Sequence, residues 1–226
     1  MPTFAISFVV TILALSRKIV KSQPPAGRED DKLKFENEFI GPNMPRSGNA
    51  VTRKIGDLIL KLMGWRIAGK LPDRKQIILI GAPHTSNWDL ALALGTMMAV
   101  GVKFSWMMKK EAFFWPLGHL WQRMGGIPID RKASIDIVTQ MKNWFDTNEK
   151  VWLGITPEGT RSKVERYKTG YLRISKAIGV PLFIIGVDAP KKKVVFDRIW
   201  DPSGDIETEN AAIQAYFESN FQGIRN

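Results

Sequence analysis

Apolar positions follow three rhythms along this chain. Residues 4–15, "FAISFVVTILAL", form an unbroken uncharged run. From residue 51, "VTRKIGDLILKLMGW" sets Ile55, Leu58, Ile59, Leu62 and Met63 at helical spacing, with Arg53, Lys54 and Lys61 elsewhere on the wheel. That spacing predicts an amphipathic helix, which can cover a core or lie at an interface. From residue 76, short β-rich runs at 76–80, 103–107, 151–155, 182–187 and 194–199 are separated by helical stretches at 88–99, 134–148 and 169–178. Strands alternating with helices predict an α/β layered fold with a largely parallel central sheet and helices on both faces. In such sheets chemistry collects where the carboxyl ends of strands enter loops.

The first run is too short to span a bilayer comfortably: about 12 residues reach roughly 18 Å as a helix, against a hydrocarbon core of about 30 Å. No Lys or Arg precedes it, whereas Arg17, Lys18 and Lys21 follow it. That asymmetry fits a membrane-associating segment over residues 1–22, with the remainder on the cytoplasmic face of the cell membrane, better than a cleaved signal. A helix packed on its own domain is the other reading. Residues 23–50, with prolines and clustered charge, read as a linker or a segment draped on the surface. The α/β domain is then expected over 51–226.

Composition narrows the chemistry. With 226 residues and 44% hydrophobic content the chain can build a full core, and the absence of cysteine excludes disulfide scaffolds, thiolate metal sites and cysteine nucleophiles. Two histidines make an imidazole-rich metal centre a poor fit, and no cofactor is implied. A formal charge of +11 calls for an anionic partner, either nucleic acid or an anionic membrane surface. Eight Trp and nine Met favour the membrane interface, and no nucleic-acid recognition motif is present.

The stretch "ILIGAPHTSNWDLAL", residues 78–92, holds His84 and, five positions on, Asp89. In one continuous helix the two would lie about 140° apart and could not meet. Pro83 biases Ala82 away from helix, and Ser86 followed three residues later by Asp89 reads as a helix start. His84 is therefore expected in the loop before the helix, with Asp89 reaching back from its first turn. Two readings fit: a base whose tautomer a carboxylate fixes, or a helix cap beside an ordinary loop histidine. Farther on, "ITPEGTRS" follows a strand and turns at Pro157 and Gly159, presenting Glu158 and Arg161; "MGGIPIDR" brings Arg131 to a strand end. The second histidine, His119, sits among aromatics in "FFWPLGHLWQRM" and reads as packed or interfacial.

The ordered set "HTSNWD", "GGIPIDR", "PEGTRS" and "VPL" resembles the four blocks of the glycerolipid acyltransferase superfamily, in particular bacterial 1-acylglycerol-3-phosphate (lysophosphatidic-acid) acyltransferases. The likeness covers roughly residues 58–200. Between blocks, "MKKEAFFWPLGHL" and "YKTGYLRISKA" also resemble small bacterial members, while Thr156 stands before Pro157 where the family often has an aromatic residue. The resemblance implies acyl transfer from a thioester, acyl-CoA or acyl carrier protein, to a lysophospholipid hydroxyl. It makes His84 the general base and Asp89 its orienting carboxylate, with no acyl-enzyme. Arg131 and Arg161 would hold the acceptor's phosphate, Lys109 is a third cation for that role, and Glu158 and Gly159 would shape the acceptor site. A nucleic-acid-binding protein and a non-catalytic membrane-binding module on the same fold are the rivals from other classes.

Overall fold

A computed structural model of the chain describes residues 41–226, apart from 87, 116, 131, 134, 161, 163, 225 and 226. The expected membrane-associating segment at 1–22 and the stretch 23–40 lie outside the described residues, as do Arg131 and Arg161.

Helix α1 spans Ala50–Met63 and follows Asn49, whose side chain accepts from the Val51 and Thr52 amides while Thr52 reciprocates to the Asn49 amide. Gly64, at φ 72°, ends it in a left-handed cap. Strand β1 (Arg66–Gly69) follows, then β2 (Gln76–Ala82), α2 (Trp88–Val100) and β3 (Trp106–Lys109). After a 3₁₀ turn at Lys110–Ala112 come α3 (Leu117–Met124), β4 (Gly126–Ile129), α4 (Ile137–Thr147) and β5 (Val151–Ile155). The chain then runs through α5 (Gly170–Ile178), β6 (Leu182–Asp188), β7 (Lys193–Trp200) and α6 (Ile206–Asn220). α4 starts later than residue 134 because Asp136 is its cap, accepting from the Val138 and Thr139 amides.

Five strands form the main sheet in the order β1-β7-β6-β2-β5. β2 runs parallel to β5 and β6, β7 runs antiparallel to β6, and β1 is parallel to β7. β3 and β4 form a parallel pair, joined to the edge of the main sheet where Ser105 bridges Leu153 in parallel. The sheet is thus largely parallel, as the alternating pattern predicts, with two strands reversed at the β1 edge.

Side chains alternate along the central strands and feed two cores. On one face Ile77, Leu79, Trp152 and Phe183 pack with Leu60 of α1 and Leu92, Ala99 and Val100 of α2. On the other, Ile78, Ile80, Leu153 and Ile184 pack with Met141 and Phe145 of α4, Tyr171 and Leu172 of α5, and Ile213 and Phe217 of α6. β2 is buried on both sides, with Ile77, Ile78 and Ile80 all at 0% exposure, and each such side chain contributes about 1.5–3 kcal/mol of burial free energy. The helices lie on both faces, so the strand ends are left for chemistry. α1 meets α2 through small residues: a Cβ on Gly56 would come within 2.3 Å of the Ala99 nitrogen. Residues 41–49 lie on the same domain, with Met44 buried and the Lys103 amide donating to the Pro45 carbonyl at 2.8 Å.

Candidate active site

β2 and β5 are adjacent, parallel and in register from Gln76↔Val151 to Ile80↔Ile155. The loop leaving β2 at Pro83 and the turn leaving β5 at Thr156 therefore emerge side by side at the carboxyl edge of the sheet. In the first, His84 Nδ1 lies 3.0 Å from Asp89 Oδ2, although the two residues could not meet within a helix. The same Oδ2 accepts the backbone N–H groups of Thr85 and Ser86, each at 2.8 Å. Ser86 Oγ in turn accepts from the Trp88 amide at 3.2 Å. One carboxylate oxygen thus both caps α2 and contacts the imidazole. Asp89 is buried in the first turn of α2. The His84 side chain keeps 22% of its surface exposed, and the carboxylate meets the ring at Nδ1 rather than Nε2.

The turn from β5 brings Glu158 inward. Its Oε1 accepts the His84 backbone N–H at 2.9 Å, while Oε2 is buried with no hydrogen-bond partner. Burial raises the Glu158 pKa above the ordinary glutamate value; the bond from the His84 amide opposes that shift, and the negative charge of Asp89 adds to it. The turn closes with the Gly159 amide donating to the Thr156 carbonyl at 3.2 Å, and Gly159 itself sits at φ 64°, a conformation that favours glycine. Lys168 lies across this turn: its amide donates to the Pro157 carbonyl at 2.9 Å, and its Nζ is 2.8 Å from where a Gly159 Cβ would stand. Burial raises the pKa of neighbouring Tyr167, with the negative charge of Glu158 contributing, so its hydroxyl stays protonated at neutral pH.

The structure therefore gathers His84, Asp89, Glu158 and Gly159 at one edge. Lys109 ends β3 as an exposed side chain, and with β5 intervening its strand lies two sheet positions from β2, about 10 Å at ordinary strand spacing. Its neighbour Lys110 is 3.4 Å from Asp130 in the loop after β4. His119 lies on α3 and is exposed. The Thr85 and Ser86 amides and Lys168 had no signature of their own in the residue pattern: an amide carries no residue type, and a lysine near a turn reads as solvated surface.

A family model for acyltransferases matches residues 66–187, more than half of the chain. Among solved structures, the crystal structure of the 1-acyl-sn-glycerophosphate (LPA) acyltransferase from Thermotoga maritima matches with a TM-score of 0.54 at 16% sequence identity. The match covers 77% of this chain and 79% of that one. No curated protein matches significantly.

Proposed function

Because the chain belongs to the acyltransferase family, we propose that it transfers a fatty acyl group from a thioester, acyl-CoA or acyl carrier protein, to the free hydroxyl of a lysophospholipid, with 1-acylglycerol-3-phosphate as the preferred acceptor. The observation that carries this reading is the His84–Asp89 contact of 3.0 Å at the carboxyl edge of β2. His84 Nε2 takes the proton of the acceptor hydroxyl as its oxygen attacks the thioester carbonyl carbon. Asp89 fixes the ring and stabilises the imidazolium that forms. The new C–O bond forms, the C–S bond breaks, and the imidazolium returns the proton to the departing thiolate. No covalent enzyme intermediate is needed, in keeping with a chain that has no cysteine and no G-x-S-x-G stretch. A positioned base of this kind contributes about 10² to 10⁴ in rate.

The acceptor phosphate is assigned to Arg131 and Arg161, since a guanidinium can hold two phosphate oxygens at once. Lys168, lying across the Glu158–Gly159 turn, is better placed than Lys109 to add a third positive charge near His84.

An anionic bilayer is the surface from which such an acceptor would be drawn. Exposed apolar side chains follow several strands at this same edge: Leu90 after β2, Phe114 and Trp115 after β3, Ile135 and Ile137 after β4. The exposed Lys109, Lys110 and Lys132 stand among them. On α1, Val51, Ile55, Leu58 and Leu62 form an exposed apolar stripe beside Lys54 and Lys61. Apolar groups flanked by lysines complement an anionic lipid surface. Among the described residues no helix is long and apolar enough to cross a membrane.

The test is direct: the purified full-length protein is offered a panel of lysophospholipids with acyl-CoA and with acyl carrier protein thioesters, and products are identified by mass spectrometry. A diacyl product from a phosphate-bearing lyso-acceptor is expected, with Arg131→Ala and Arg161→Ala lowering kcat/KM for it at least about tenfold. Absence of transfer to any lyso-acceptor from either donor would overturn the reading.

A further inference from the structure

We propose that the carboxyl-terminal tail, residues 221–223, is a positioning element for the histidine loop. This tail lies outside the stretch matched by the acyltransferase family model. The proposal rests on the activity proposed above for its kinetic consequence, but its structural consequence stands independently.

α6 ends at Asn220, and Phe221 leaves it in extended conformation, its amide still donating to the Phe217 carbonyl. The Phe221 ring packs against Phe217 and Tyr216, with centroids 5.7 and 6.2 Å away. It also fills space that β6 leaves open, since a Cβ on Gly186 would come within 2.1 Å of this ring. Glycine at 186 thus lets the tail cross the end of the strand.

Gln222 then joins the sheet. Its amide donates to the Val187 carbonyl at 3.1 Å, its carbonyl accepts from the Ala189 amide at 2.9 Å, and it bridges Asp188 in parallel. β6 already pairs on one side with β7 as far as Asp188↔Lys193, so Gln222 takes the other side, where β2 ends at Ala82↔Gly186. β2 gives up that ladder position as the chain turns at Pro83 toward His84, and the tail occupies it.

The next residue meets the loop. A Cβ on Gly223 would lie 2.6 Å from Thr85 Oγ1 and 2.7 Å from Thr85 Cγ2, so the tail abuts the residue that follows His84. The Thr85 amide is one of the two that hold Asp89 Oδ2. Glu158 ties the loop from the β5 side and the tail braces it from the β6 side. Seating Thr85 keeps its amide on Asp89, and Asp89 in turn keeps the imidazole aligned. A displacement of about 1 Å in such a contact can cost as much as about 10²-fold in rate.

Three variants test this. Gly223→Ala adds one methyl against Thr85; a chain ending after Phe221 removes the ladder bonds without a clash; Gly170→Ala is the control, because nothing lies within 4 Å of its added Cβ. Amide exchange at Thr85 and Ser86, followed by mass spectrometry or NMR, should accelerate about tenfold or more in the first two and stay unchanged in the control. With lysophospholipid and thioester, kcat should fall about tenfold in the first two, KM should change less than about twofold, and the melting temperature should stay near wild type. In a Thr85→Ala background the colliding atoms are gone, so Gly223→Ala should have little further effect. Wild-type exchange in both tail variants would overturn the proposal, as would a Gly223→Ala loss equally large in the Thr85→Ala background. If wild-type protein transfers no acyl group, the proposed activity fails, and exchange at the two amides still decides the role of the tail.

Discussion

The backbone N–H of His84 donates to Oε1 of Glu158 at 2.9 Å, joining the loop after β2 to the turn after β5. The partners are 74 residues apart, brought together because their strands are parallel neighbours in register. This bond ties the histidine loop to the turn after β5. Asp89 governs the ring and Glu158 governs the backbone beneath it.

Glu158 is buried, and burial raises its pKa above 4.5. The folded state therefore binds its proton more tightly than the unfolded chain does, so the ionised side chain costs stability. That cost grows as pH rises from the unfolded value through the raised folded one. Glu158→Gln keeps an oxygen for the His84 amide and removes the charge. Its stability relative to wild type should improve as pH rises above the ordinary glutamate value, read as denaturation midpoints at several pH values. A difference between the two proteins that stays constant as pH rises would show that the carboxyl is not desolvated. Glu158→Ala, which removes the acceptor, should lose far more activity than Glu158→Gln.

Asp89 serves two roles through one oxygen, and two substitutions separate them. Asp89→Ala leaves the Thr85 and Ser86 amides without their acceptor and should cost about 1–3 kcal/mol of folding free energy, measured in urea. Asp89→Asn can still accept from those amides but no longer offers a negative charge to His84, so stability should fall less while kcat drops about 10²-fold or more. Equal stability losses in the two variants would mean that the amide bonds contribute nothing to the fold.

Much of this arrangement was legible beforehand. β2, β5, β6 and β7 are apolar, β-branched runs of ordinary length, and Pro83 with Ser86 marks the entry to α2. Other parts were hidden for physical reasons. β1 is four residues long, too short for an alternation to register. α6 buries Asn210 alongside Ile213 and Phe217, and the asparagine accepts from the Tyr171 hydroxyl at 2.9 Å while donating to the Tyr167 carbonyl at 2.8 Å. A polar residue on the buried face blurs the helical stripe that would have announced α6. The inward turn of Glu158 was hidden too, because its partner is a backbone amide and a carboxylate is ordinarily counted as exposed. The tail against Thr85 depends on Gly186 and Gly223 having no side chains, and neither stands out in the sequence.

Gly56 offers a test of the layer that supports α2. Its Cβ position lies 2.3 Å from the Ala99 nitrogen and 2.7 Å from the Gly95 carbonyl oxygen, so a methyl group would push the helices apart. Alanine favours helix by about 1 kcal/mol over glycine, yet the overpacking should dominate and Gly56→Ala should lose about 1–3 kcal/mol. A more stable variant would show that α1 and α2 do not meet through this residue.

The last prediction concerns the lipid surface. Val51, Ile55, Leu58 and Leu62 recur at the three- and four-residue steps of one helical face, and their exposures are 64%, 44%, 55% and 52%. The opposite face is already used: Gly56 and Leu60 are buried against α2 and the core. An aspartate at position 58 would therefore leave the fold alone and oppose both the apolar contact and the basic flank. Leu58→Asp should weaken binding to vesicles containing anionic phospholipid by about tenfold or more, with a melting temperature near that of wild type. Lys54→Ala with Lys61→Ala should weaken it by about 1 kcal/mol per charge, and the loss should shrink as salt screens the remaining attraction. Vesicle flotation at two ionic strengths separates the two contributions. Leu58→Asp floating as well as wild type at both would mean that the stripe faces water, and the bilayer contact would then have to be sought at Phe114, Trp115 and the other apolar groups around the histidine loop.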